Sequence, residues 1–176
     1  TDLKGQVQDV TAALQWIFDH IHQYVGDSEQ ISVTGDSAGA QLAFLVCAAS
    51  ANEAYRRSYE ITSLSKPIKA LGLTCPVSCL HEMAKSQDEM TREWMQVLYG
   101  GEPEQSSLWN CSDYADILTD CKELPSIYIL TTKGDQKYYR QSLALHDLMN
   151  RKQIEHVYRE WESMENKDLG HVFNVL

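Results

Sequence analysis

Apolar residues fall at steps of three and four along the start of the chain: Val7, Val10, Leu14, Ile17, Phe18 and Ile21. That spacing lines one face of a helix, and Gly26 is placed to stop it. The period then changes. Gln30-Ile31-Ser32-Val33-Thr34 is rich in β-branched residues and predicts a short strand. It runs straight into Gly35-Asp36-Ser37-Ala38-Gly39. From Ala38 to Ala49 almost every residue is small or apolar, which predicts a second helix buried on most of its sides.

Residues 50–66 turn polar and read as a surface connection. Pro67 introduces a second strand, Ile68 to Leu73, and Pro125 a third, Ile127 to Thr131. A fourth runs from Ile154 to Trp161. Leu143, Leu145, Leu148 and Met149 suit an amphipathic helix between the last two. Strands alternating with helices predict an α/β fold, a mostly parallel sheet with helices on both faces. The stretch 81–124 interrupts the alternation. Met90, Trp94, Val97 and Leu98 predict one helix there, closed by Gly100-Gly101 with Pro103 beyond; the rest, through Trp109 and Tyr114, has no clear period. An insertion of that size at the carboxyl ends of strands sits over a site, as a cap or substrate-shaping element or as a purely structural excursion. No repeat is visible, and the 176 residues read as one domain.

Composition narrows the classes. With 43% hydrophobic residues the chain can bury a sizeable core, and no run of eighteen apolar residues predicts a membrane span. The formal net charge of −10 repels a polyphosphate partner. The basic pairs Arg56-Arg57 and Arg151-Lys152 are flanked by acids, so nucleic acid binding is not expected. Five cysteines at irregular spacing argue against a disulfide framework and for a reducing, cytoplasmic setting. Cys75, Cys79 and His81 lie close in sequence. They lack the fourth ligand and second clustered pair of a structural zinc site, so neither metal nor cofactor is expected.

The chemistry concentrates at Gly35-x-Ser37-x-Gly39 between a strand and a helix. A serine projecting from so sharp a turn needs small neighbours two residues away on either side. The helix start also aims the Ala38 amide and the positive end of the dipole at a reacting oxygen. A serine hydroxyl needs a base, and the base an orienting carboxylate. Asp135 directly follows the third strand and supplies the carboxylate. Of six histidines, His20 and His22 lie before the serine on the first helix, and His81 begins the insertion. His146 and His156 lie within regular elements. His171, after a polar loop from Ser163 to Gly170, is free to reach back as the base. Asp36 points the wrong way to orient a base and is expected to hold the turn by local hydrogen bonds.

With those residues in place, the chain resembles the hormone-sensitive-lipase-like branch of the α/β-hydrolases. The elbow Gly35-Asp36-Ser37-Ala38-Gly39 is the form that branch favours, and Gly170-His171-Val172-Phe173 resembles its Gly-His-Gly-Phe tail with Val172 in place of a glycine. The approach to the elbow, Asp9 to Trp16 and then Asp27 to Val33, is similar too. The resemblance implies a partial α/β-hydrolase fold with Ser37, Asp135 and His171 as catalytic residues and no cofactor. It implies hydrolysis of short-acyl carboxylic esters, small molecules, through an acyl-enzyme. Amide or formamide hydrolysis on the same residues, and a non-catalytic small-molecule-binding protein on the same scaffold, stay open. The family's His-Gly-Gly segment, whose amides complete the oxyanion hole, is not in this sequence. The resemblance therefore also implies weak activity for this chain alone, and an exposed sheet edge that a missing segment or a second copy could pair.

Overall fold

The computed structural model describes residues 1–121, 123–162, 169–171 and 173. Four strands, β1 (Ser32–Asp36), β2 (Ala70–Thr74), β3 (Ser126–Thr132) and β4 (His156–Trp161), form one sheet in the order β1-β2-β3-β4, every pair parallel. Among the described residues, seven α-helices accompany them: α1 (Leu3–His20), α2 (Ala38–Ala51), α3 (Glu53–Tyr59), α4 (Leu80–Ala84), α5 (Glu89–Tyr99), α6 (Tyr114–Asp120) and α7 (Tyr139–Arg151). The fold is α/β, four parallel strands with helices around them.

The helix that periodicity predicts at the start is α1. Asp2 caps it by accepting the Gly5 amide at 2.8 Å, and a 3₁₀ turn, Ile21–Tyr24, closes it before Gly26. The helix α2 buries nine of its residues, Phe44, Leu45 and Val46 among them, because it lies between the sheet and α1. Each such side chain removed from water contributes roughly 1.5–3 kcal/mol before the cost of ordering it. The strands are displaced from their sequence-based bounds. β1 starts at Ser32, not Gln30, and runs through Gly35 and Asp36 into the turn. β2 starts at Ala70, not Ile68, and ends at Thr74.

The expected surface connection over 50–66 contains α3. Asn52 caps it by accepting the Ala54 and Tyr55 amides, and Tyr55 and Tyr59, one turn apart, are buried. An Asn followed by tyrosines four residues apart is a helix signal that the charged Glu53, Arg56 and Arg57 between them conceal. Within the insertion, α5 ends at Gly100 with φ 71° as predicted, and α4 and α6 are additional. α6 carries its own cap, Asp113, which accepts the Ala115 amide at 2.9 Å.

The covering of the sheet is uneven. Leu71, Leu73, Ile127 and Ile129 point to one face and are buried under α2 and α7. Thr34, Gly72, Tyr128 and Val157 share a register row on the other face, where Tyr128 and Val157 are 40% and 44% exposed. Among the described residues, no helix is long and apolar enough to cross a membrane.

Candidate active site

A parallel sheet brings all its carboxyl ends to one edge, and the sequence-predicted residues leave from that edge. Ser37 follows β1, Cys75 follows β2, and Asp135 follows β3 by three residues. The ladder continues past the strands: the Ser37 amide donates to the Thr74 carbonyl at 2.9 Å and the Cys75 amide to Leu130 at 2.8 Å.

Ser37 has φ 54° and ψ −119°, a region that non-glycine residues rarely occupy. What permits it is the absence of side chains around it. A Cβ on Gly35 would run into the backbone of Gly39 and Ala40. The Ser37 carbonyl then accepts from the amides of Gln41 and Val77, both at 3.3 Å, tying the turn to α2 and to the exit of β2. Ala38 is the first residue of α2, where helix amides lack intrahelical acceptors. Of the local hydrogen bonds expected of Asp36, none reaches its Oδ1, which is buried without a hydrogen-bond partner among the described residues.

Asp135 is fully buried. Its Oδ1 accepts the amides of Lys137 and Tyr138 at 3.1 and 3.0 Å, and its Oδ2 lies 2.9 Å from Nδ1 of His171. Burial alone would raise its pKa. The Tyr138 amide, the His171 imidazole and the Cys75 thiol outweigh burial and hold the carboxyl below the usual carboxylate range. Since the carboxylate can only accept, Nδ1 of His171 carries the proton, which leaves Nε2 as the acceptor. The imidazole lies against the Tyr138 ring, centroids 4.8 Å apart. Its side chain keeps 29% exposure.

The histidine is delivered by a backbone contact. A Cβ on Gly134 would collide with the Leu169 carbonyl, and Thr132 Oγ1 donates to that carbonyl at 3.3 Å. The polar loop expected between Ser163 and Gly170 lies outside the described residues over 163–168. The other histidines are engaged elsewhere. His20 stacks on Trp16, His81 stacks on Trp109, and His146 pairs with His156. His22 sits in the 3₁₀ turn after α1.

Sequence reasoning missed two contributors. Tyr138 walls the imidazole and donates its amide to Asp135. Cys75, weighed only with Cys79 and His81, instead lies with Asp135 and His171, one ligand atom of each within 4.8 Å of the others. The signal for it was positional: Cys75 is the first residue past the strand that separates the serine's strand from the acid's. Cys79 faces Ser78 Oγ at 3.5 Å, and His81 Nε2 donates to the Trp109 carbonyl at 2.9 Å.

The insertion borders this site. Lys137 places its ammonium 5.3 Å from the Trp94 ring of α5, next to the acid's turn. Gln41 Nε2 donates to the Ser112 carbonyl and Tyr114 Oη to the Ala40 carbonyl, so the insertion is fastened to the first turn of α2. Depressions of about 780 and 390 Å³ lie towards the amino ends of β2, β3 and β4, and one of about 570 Å³ lies between α1 and residues 60–62, away from Ser37.

Solved structures resemble this chain over nearly its whole length. Esterase B from Lactobacillus rhamnosis is 25% identical, with a TM-score of 0.87 over 99% of this chain and 55% of its own. A structure of the same esterase with a C4-C4 SN3 tributyrin phosphonate gives 26% identity and a TM-score of 0.87, over 99% of this chain and 54% of its own. A carboxylesterase from Lactobacillus plantarum shares the fold at 16% identity and a TM-score of 0.70, covering 94% and 54%. The chain thus spans about half the length of these solved relatives. No curated protein matches it significantly. The family model described as alpha/beta hydrolase fold matches residues 2–173, in keeping with the hormone-sensitive-lipase-like form of the elbow; this chain belongs to that family.

Proposed function

We propose that the chain carries the catalytic residues of a carboxylic ester hydrolase acting on short-acyl esters through an acyl-enzyme on Ser37. The observation that carries this reading is the buried Asp135 bonded at 2.9 Å to His171 Nδ1, at the same sheet edge as a serine held at φ 54°. Ser37 and Asp135 leave strands separated by one other, roughly 10 Å at the usual strand spacing. In this reading the imidazole anchored on Asp135 spans that gap to the serine.

In this reading His171 Nε2 takes the Ser37 proton as Oγ attacks the ester carbonyl. Asp135 holds the tautomer and stabilises the imidazolium. The Ala38 amide, at the positive end of α2, donates to the oxyanion. The alcohol leaves with the proton from His171, and water, activated by the same nitrogen, releases the acid. The tributyrin phosphonate in the esterase B structure supports a short acyl group, and the Lys137 contact with Trp94 supports a part for α5 in shaping that group's pocket.

The test is the intact mass of the chain after exposure to a fluorophosphonate, beside Ser37→Ala. One adduct, absent in the variant, is expected. No adduct on the folded chain, persisting when a His-Gly-Gly-bearing N-terminal segment is supplied, would overturn the catalytic reading and favour a binding role on the same scaffold. Relative rates on an acetyl ester and an aryl formamide separate ester from amide hydrolysis.

A further inference from the structure

Cys75 stands among the reacting residues, and the proposed chemistry gives it no step. It has no exposed surface and a φ of 43°. Such an outlier on a side-chain-bearing residue recurs at functional sites. Its Sγ, an Asp135 carboxylate oxygen and a His171 ring nitrogen all lie within 4.8 Å of one another. Thiolate, carboxylate and imidazole are the donors that zinc takes, and the thiolate favours soft ions over magnesium or calcium.

The dimensions fit with small movements. Bonds of about 2.0–2.3 Å set the ligand atoms of a tetrahedral zinc roughly 3.3–3.8 Å apart. The 2.9 Å separation of Asp135 and His171 has to open by less than an ångström, and the longer separations close by a similar amount. His171 is the partly exposed member, so its side gives the ion an approach and leaves room for a water as fourth ligand.

We propose that Cys75, Asp135 and His171 form an inhibitory site for a soft divalent cation such as zinc or cadmium. The ion displaces the thiol proton, which goes to solvent. The proton on His171 Nδ1 must also leave that nitrogen for the ion to bind there, and Nε2 takes it. One proton is released in total. An imidazole with the ion on Nδ1 and a proton on Nε2 cannot accept the Ser37 proton. The inhibition therefore rests on the triad reading, while the binding does not.

Cadmium chloride titration of the chain tests this, read by ultraviolet thiolate-to-cadmium charge-transfer absorption, with Ser37 fluorophosphonate labelling in parallel and circular dichroism to confirm folding. The wild type is expected to take up one cadmium with a single band, lost in Cys75→Ser. In His171→Ala the band is expected to persist at about tenfold or more weaker affinity. Labelling of the wild type is expected to slow as the site fills, recover on adding EDTA, and be insensitive to cadmium in Cys75→Ser. A band of equal midpoint in Cys75→Ser, arising from the other thiols, overturns the proposal, as does a folded wild type with no band at millimolar cadmium. Should Cys75→Ser not fold, an unchanged midpoint in His171→Ala overturns it equally. A Cys75-dependent band on a chain never labelled at Ser37 keeps the cation site and removes the hydrolase reading; labelling without a band does the reverse.

Discussion

Two turns leave the same edge of the sheet and are held by opposite means. The Ser37 turn exists because atoms are missing: without a side chain at Gly35, strand and helix close on each other, with the serine between them at φ 54°. The Asp135 turn exists because a charge is present, a buried carboxylate gathering two backbone amides, an imidazole and a thiol. The serine is positioned by steric exclusion and the aspartate by electrostatic capture. The first is indifferent to pH and salt but intolerant of a methyl group. The second tolerates change in shape better than change in charge.

The largest effect is expected from removing that charge. Asp135→Asn keeps an oxygen for the Lys137 and Tyr138 amides but presents a neutral amide to His171, so the wrong tautomer is stabilised. Ser37 phosphonylation should slow about 10⁴-fold while far-ultraviolet circular dichroism is little altered; a loss under tenfold would mean that capture of the histidine matters little. Gly35→Ala attacks the other turn. Its methyl meets backbone, not a yielding side chain, and is expected to cost about 3 kcal/mol in urea unfolding, with labelling lost in proportion to Ser37 displacement. Unchanged stability would break the steric account.

Gly134→Ala tests where the two modes meet. The methyl pushes on the Leu169 carbonyl and shifts His171 without touching any charge, so labelling should slow about tenfold, some 1.4 kcal/mol in barrier. Full activity would show that the histidine is not positioned through Leu169.

The smallest effect lies away from the site. His146 Nδ1 meets His156 Nε2 at 2.7 Å, Asn150 Nδ2 donates to His146 Nε2, and His156 Nδ1 donates to the Ile154 carbonyl. That chain closes only with both rings neutral. Burial first, then His156, lowers the pKa of His146 from its ordinary value near 6.5. The folded chain thus binds fewer protons than the unfolded one as pH falls below that value, so this contribution is complete above it and fades as pH drops through the lowered folded value. Urea midpoints between pH 7 and 5 should fall more steeply in the wild type than in His146→Gln; parallel slopes would remove the neutral-pair assignment.

The sequence was most legible where one local rule governs a position. The four strands and their parallel sheet, α1, α2 and α7 follow from period and turn residues, and Ser37 from its two flanking glycines. Asp135 and His171, proposed from chain order, are brought to 2.9 Å. What stayed hidden depends on tertiary company. α3 was masked by its charged surface positions, while its buried tyrosines face α2 and the insertion. Tyr59 donates to the Cys111 carbonyl, a partner that period cannot reveal. Asp36 looked like a local hydrogen-bonding residue because aspartates at turns usually are. Cys75 was grouped with its sequence neighbours when its true neighbours arrive from β3 and from beyond β4.

The parallel order has a consequence for how the molecule comes to be folded. Parallel strands cannot be joined by a tight hairpin, and the crossover between β2, ending at Thr74, and β3, beginning at Ser126, contains α4, α5 and α6. β3 cannot pair with β2 until about fifty residues of crossover have been drawn in, and loop closure on that scale precedes any gain from pairing. The two halves of the site lie on opposite sides of this crossover, Ser37 before it and Asp135 after it. Assembly of the candidate site is therefore gated in time by the folding of the very segment that borders it, and a chain slowed in 75–125 is slowed in bringing Ser37 and Asp135 together.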